Sequence, residues 1–135
     1  MIKKKSKLFR ISMMLVVLFL IISILIVFMG RKPFKNIEIT SASVQLLPPD
    51  ETIQIVDVEE LEELLKNVII YKRDDSFTEY TGQAVVFTIT KNDSSTIEVT
   101  AYNPFIIIDG KGYKCKYEPC EKLNSYANEL WNNQK

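Results

Sequence analysis

Histidine is absent from the 135 residues, which removes Ser-His-Asp triads and histidine-ligated metals from consideration. Cysteine occurs twice, as Cys115 and Cys120, so a zinc site would lack two of its four ligands. Acid is missing from residues 1–29, whereas residues 36–135 hold 17 acids against 9 bases. The formal charge of zero therefore averages two unlike pieces, an apolar basic start and an acidic remainder of net charge −8. The remainder amounts to one modest domain of about 100 residues, too small for a multidomain enzyme.

From Ile11 to Met29 run nineteen residues of which only Ser12 and Ser23 are polar. At about 1.5 Å rise per residue, such a helix just crosses a hydrocarbon core about 30 Å thick. The two serines can bond back to carbonyls of the preceding turn, which makes them tolerable in lipid. Lys3, Lys4, Lys5, Lys7 and Arg10 precede the run, and Arg31, Lys32 and Lys35 follow it. The excess before the run favours a cytoplasmic N-terminus and a C-terminal domain outside. A cleaved signal peptide is the competing reading. However, Phe28-Met29-Gly30-Arg31 offers a poor cleavage site, and Ser41-Ala42-Ser43 lies too far downstream. The expected organisation is a cytoplasmic basic N-terminus (1–10), a transmembrane signal anchor (11–29), a basic stalk (30–36) and an extracytoplasmic α+β domain (37–135).

Within that domain, Ile37 to Leu47 is rich in β-branched residues and stops at Pro48-Pro49-Asp50, after which Thr52 to Val56 forms a second short strand. Asp57 followed by Glu60 is a capping-box pattern, and Val58, Leu61, Leu64, Leu65 and Val68 recur at helical spacing. Val68 to Tyr71 is a strand candidate and Lys72 to Gly82 a polar loop. Alternation of Val85, Phe87 and Ile89, and then of Ile97, Val99 and Ala101, predicts a hairpin around Asn92-Asp93-Ser94-Ser95. A second hairpin is predicted with Gly110-Lys111 as its type II′ turn, pairing Ile108 with Tyr113 and Ile106 with Cys115. Pro119 suits the first turn of a final amphipathic helix. The fold class expected is α+β: an N-terminal transmembrane helix, then a meandering antiparallel sheet of about five or six strands with two helices on one face.

Few residues suggest chemistry. Cys115 and Cys120 fall at the end of the last strand and the start of the last helix. Outside the cytoplasm they are expected to form a structural disulfide. Two reduced buried cysteines, or a redox pair with Cys120 made acidic by the helix N-terminus, are the alternatives. Asp74, Asp75 and Glu79 match no calcium-loop rhythm and are expected to be solvated. Asp109-Gly110-Lys111-Gly112 joins two strands, so it offers no helix N-terminus to a phosphate. Phe105 and Ile107 lie on the sheet face opposite the core, flanked by Lys114 and Lys116; this apolar strip is expected either to be covered by another strand, the N-terminal segment or a helix, or to serve as a partner surface.

The strings Ile39-Thr40-Ser41-Ala42-Ser43-Val44, Leu47-Pro48-Pro49-Asp50, Tyr80-Thr81-Gly82, Tyr102-Asn103-Pro104-Phe105-Ile106-Ile107-Ile108-Asp109-Gly110 and Pro119-Cys120-Glu121 together resemble small membrane- or lipid-anchored extracytoplasmic proteins of Gram-positive, Clostridia-like bacteria, a domain family without assigned function. The resemblance covers about residues 36–131 and implies an external single domain without supplying a catalytic residue. Members anchored through a lipobox cysteine would differ from this chain, which has a spanning helix in that place. The expectation is a non-enzymatic binding module at the cytoplasmic membrane. It has no cofactor, metal or nucleic-acid partner, and an envelope protein or peptide is its ligand. A thiol-disulfide protein using Cys115 and Cys120, or protection of the producing cell against an antimicrobial peptide, are the alternatives.

Overall fold

The computed structural model describes residues 2–135 and divides into two compact units, one ending at Gly30 and the other running from Arg31 to Lys135. The first is the helix α1, Ile2–Met29, which is long and apolar enough to cross a membrane. It begins earlier than the apolar run because Lys and Arg are good helix formers, so the basic residues extend the helix instead of preceding it. Met1 lies outside the described residues. Ser23 Oγ donates to the Phe19 carbonyl at 2.8 Å, the expected back-bond.

The second unit contains β1 (Ile39–Leu47), β2 (Glu51–Ile55), α2 (Val58–Lys66), β3 (Ile70–Arg73), a 3-10 turn (Ser76–Glu79), β4 (Ala84–Lys91), β5 (Thr96–Tyr102), β6 (Phe105–Ile108), β7 (Lys111–Cys115) and α3 (Tyr117–Asn133). The sheet is antiparallel and seven-stranded, in the order β2-β1-β4-β5-β6-β7-β3. It exceeds the expected count because the short pieces β2 and β3 both pair, one at each edge. The α+β class and the two covering helices are as the sequence predicts.

Alternation along the strands puts Val44, Leu46, Val85, Phe87, Ile89 and Val99 on one face, all fully buried. Leu61 and Leu65 from α2 and Leu123 and Ala127 from α3 close over them. Phe87 stacks on Tyr126 with ring centroids 6.4 Å apart. Burial pushes the Tyr126 phenol up to about 12, with Glu60 and Asp57 adding to the effect, so it stays neutral at physiological pH. The α2 cap forms as the sequence predicts: Asp57 Oδ1 accepts the Glu60 N–H at 3.1 Å.

Two expectations are corrected. First, residues 31–36 are not a free stalk. Arg31 and Ile70 exchange two backbone hydrogen bonds of 2.9 Å, and Phe34 and Ile37 are buried in the core. A basic segment containing one phenylalanine docks because the ring has apolar surface to lose. Second, the β6–β7 turn is Asp109-Gly110, one residue earlier than predicted, pairing Ile106 with Tyr113 and Ile108 with Lys111. Asp109 and Gly110 have φ of 48° and 84°, and positive values at both central positions define a type I′ turn, which Asp-Gly favours. The face of each side chain is unchanged, because each residue's partner shifts by two.

Candidate functional site: a groove on the open face of the sheet

The face opposite the helices carries the other half of each alternation: Gln45, Val86, Thr88, Glu98, Thr100 and Tyr102. Over β6 and β7 this face is covered by the segment between β3 and β4. The Gly112 N–H donates to Asp75 Oδ1 at 2.9 Å, and the Asp74 N–H donates to the Gly112 carbonyl at 2.9 Å. Gly112 is required there. A Cβ at that position would stand 2.3 Å from the Asp74 carbonyl oxygen and 2.6 Å from the Phe77 ring. Without it, the 3-10 turn lies flat on the sheet.

That covering is the first of the two expectations for this strip, with the loop and its 3-10 turn as the cover in place of a strand, the N-terminal segment or a longer helix, and it removes the open partner surface. Phe105 is 0% exposed and Ile107 7%. The rings of Phe77 and Tyr80 meet Phe105 edge-on at centroid distances of 6.3 and 5.2 Å. Lys114 Nζ lies 4.5 Å from the Phe105 centroid and 3.8 Å from Asp74. Lys116 is exposed at the far end of β7. Alternation correctly assigns Phe105 and Ile107 to the face away from the helices, but it does not say what a loop forty residues from β7 lies against. The aromatic pair Phe77 and Tyr80 in an otherwise polar loop, together with Gly112 opposite Ile107, was the signal available.

The same loop engages the carboxylates. Hydrogen bonds from Ser76 hold the Asp74 carboxyl below its ordinary value, with Lys114 and Lys72 helping. The Gly112 N–H, followed by Arg73, does so for Asp75. Their oxygens therefore bind the chain itself instead of forming an open ligand set.

Beside the covered half runs a groove of about 590 Å³. Phe77, Tyr80 and Gly82 form its loop side, and Glu98, Thr100 and Tyr102 of β5 form its floor. Thr100 is the one polar residue among the described buried ones and sits between Val86 and Ile107. The Tyr102 ring passes Gly82 closely, 3.7 Å from where a Cβ would stand. Beyond Tyr80 and Tyr102 a second hollow of about 330 Å³ continues toward α3, lined by Gln83, Asn103, Asn124 and Asn128. Asn128 donates to Gln83 Oε1 at 3.0 Å, which sets the orientation of both amides. The two hollows share Tyr80, Thr81, Gly82 and Tyr102, so rings, hydroxyls and amides adjoin there, with the carboxylates of Glu98 in the first hollow and Glu121 in the second. The sequence reading did not single out Glu98, Thr100, Tyr102 or Tyr80 as a set, although the non-core positions of β5 carry three of the four.

The two cysteines meet, but as free thiols 3.9 Å apart, so the expected disulfide is not formed here. Both are buried beneath the Asn103-Pro104 turn. Cys115 Sγ lies 3.8 Å from Asn103 Oδ1 and Cys120 Sγ 3.6 Å from the Phe105 carbonyl. The predicted acidity is reversed. The Cys120 thiol lowers the Cys115 pKa by hydrogen-bonding to it, while that same bond and burial push Cys120 up. Cys120 is the fourth residue of α3 and almost fully buried, and the hydrogen bond to Cys115 and burial outweigh what the helix N-terminus could offer a thiolate.

The chain matches no protein-family model, no curated protein and no solved structure.

Proposed function

We propose that this chain is a single-pass, non-enzymatic binding module of the cytoplasmic membrane, with its N-terminus inside and its α+β domain outside, and that the groove beside Tyr80 and Tyr102 takes an extended segment of an envelope protein or peptide. Its extracytoplasmic character is also what the family resemblance implies. The carrying observation is the pair of adjoining hollows on either side of Tyr80 and Tyr102, where ring faces supply contact area and the neighbouring hydroxyls and amides suit a peptide backbone. Charge asymmetry around α1 supports the orientation.

Photo-crosslinking in intact cells tests the site. A photoreactive residue at Thr81, on the groove edge, is expected to give one discrete adduct that disappears with Tyr102→Ala. The same residue at Asn132, on the end of α3, is expected to give none. Adducts of equal yield at both positions, or none at Thr81, would refute the groove. Protease digestion of intact cells carrying a C-terminal tag tests orientation, since a protected tag would place the domain inside.

A second reading is favoured by the distance between the thiols. With Cys115 and Cys120 so close, a disulfide donor outside the cytoplasm would oxidise them, through attack by the Cys115 thiolate and resolution by Cys120. The donor is reduced to its dithiol and the pair loses two protons. A deeply reducing potential for the couple would identify a structural bond, and a mild one would identify redox work.

A further inference from the structure

The Arg31–Lys135 unit is electrically lopsided, and its basic end is the one where the chain arrives from α1. Lys32 lines two neighbouring hollows, one shared with Lys35 and Lys91 and the other with Lys116 and Lys122. Arg31 precedes it and is fixed by its pairing with Ile70. Six cations thus gather at one end, against three carboxylates lining the same hollows. Those three are engaged: Glu38 accepts from the Asn92 side chain, Asp93 from the Ser95 N–H, and Glu118 lies 3.9 Å from Lys122. The remaining residues of the unit include six cations and fourteen carboxylates, of which Glu62 also stands at this end, accepting the Ile39 N–H at 2.7 Å. Among the described residues, Lys32, Lys35, Lys91 and Lys116 have no carboxylate within ion-pair distance. Lys32, Lys35 and Lys116 are exposed, so the fold itself does not require their charge.

The structure assigns this end to the anionic phospholipid headgroups of the leaflet from which the chain emerges. The assignment rests on α1 spanning the membrane, as proposed above. Arg31 follows the last residue of α1 by two positions, so their Cα atoms are at most about 7 Å apart. The surface around Arg31 is thereby held at headgroup depth. Headgroup phosphates attract the six cations, while the acidic remainder is repelled from the same surface. The lipid therefore selects an orientation of the unit as well as a location.

The full chain reconstituted in nanodiscs tests this. One set of discs contains phosphatidylcholine alone and the other contains added phosphatidylglycerol. Lysines are acylated with a small amine-reactive ester and followed by peptide mass spectrometry. The ester attacks only the neutral amine, and a surface potential of about −30 mV concentrates protons about threefold. Lys32, Lys35, Lys91, Lys116 and Lys122 are therefore expected to react about threefold more slowly in the anionic discs, and this difference is expected to vanish in high salt. Lys111 and Lys135 serve as controls and are expected to react alike in both. Retention in the discs with equal rates at all lysines would overturn the assignment while leaving the anchor intact. Loss of the protein from the discs would remove the anchor and the assignment together.

Discussion

Replacing Gly112 with alanine adds one methyl group and isolates the docking of the covering loop. The Gly112 backbone is not in the left-handed region, so alanine meets no conformational penalty and only the contact matters. At 2.3 Å from a backbone oxygen, the methyl cannot be accommodated by rotating a side chain, so the loop must lift. Lifting breaks the two Gly112 hydrogen bonds, worth about 1 kcal/mol each net, and re-exposes part of Phe105 and Ile107, each worth about 1.5–3 kcal/mol when fully buried. Partial relaxation of the loop reduces the total, and a loss of about 2–4 kcal/mol is expected. Urea unfolding in detergent, followed by Trp131 fluorescence, measures it, and hydrogen exchange of residues 74–82 locates it. Gly110→Ala is the contrast. Its φ is 84° with nothing within 4 Å, so the cost is conformational alone, about 1–2 kcal/mol, and the loop keeps its protection. If Gly112→Ala unfolds within about 0.5 kcal/mol of the parent and the loop stays protected, the docking described above is wrong.

The covering loop should also respond to acid. Asp74 and Asp75 both have depressed folded values, so their contribution is complete above the ordinary aspartate value of 3.8 and is lost as pH falls through the lower folded ones. Exchange protection at Ser76 and Gly112, corrected for intrinsic rates, is therefore expected to be flat from neutrality down to about pH 5 and to fall in more acidic solution. Asp75→Asn keeps an oxygen for the Gly112 N–H but cannot ionise, and should flatten the part of the fall due to Asp75. In α2, Asp57→Ala removes the cap and should cost about 1 kcal/mol by urea unfolding. Leu61→Ala, at a fully buried site, is expected to cost about 2–5 kcal/mol, whereas Glu59→Ala on the exposed side should stay within about 0.5 kcal/mol.

Local rules made most of this fold legible. The Asp57 cap, the alternation of Val85 to Ala101 and the amphipathic spacing of α3 each follow from neighbours a few residues apart, and each is present. The Asp109-Gly110 turn was missed by one residue because Gly-Lys and Asp-Gly both make acceptable hairpin turns, and both registers keep the isoleucines on their faces. What the sequence could not convey is contact between distant segments. The loop over Phe105 joins residues about thirty positions apart, and the docking of Phe34 depends on a core that β1 and α2 have still to build. The groove is a third instance, since its walls come from a loop, a strand and a helix end whose polar residues look ordinary when read singly. The cysteine pair falls between these cases. Its proximity was legible from a strand ending where a helix begins, but the order of acidity was not, because it depends first on which thiol donates the hydrogen bond between them.

The burial of Phe34 and Ile37 and the Arg31–Ile70 pairing bear on how this protein could be detached from its anchor. A protease cutting between α1 and the sheet meets exposed side chains on a backbone pinned by the Arg31–Ile70 pairing and by the burial of Phe34 and Ile37, so release of the intact Arg31–Lys135 unit by clipping there is disfavoured. For the same reason, a truncated version beginning at Ile37 would leave Ile70 without its Arg31 partner and a cavity where Phe34 belongs. A well-behaved fragment without α1 has to start no later than Arg31.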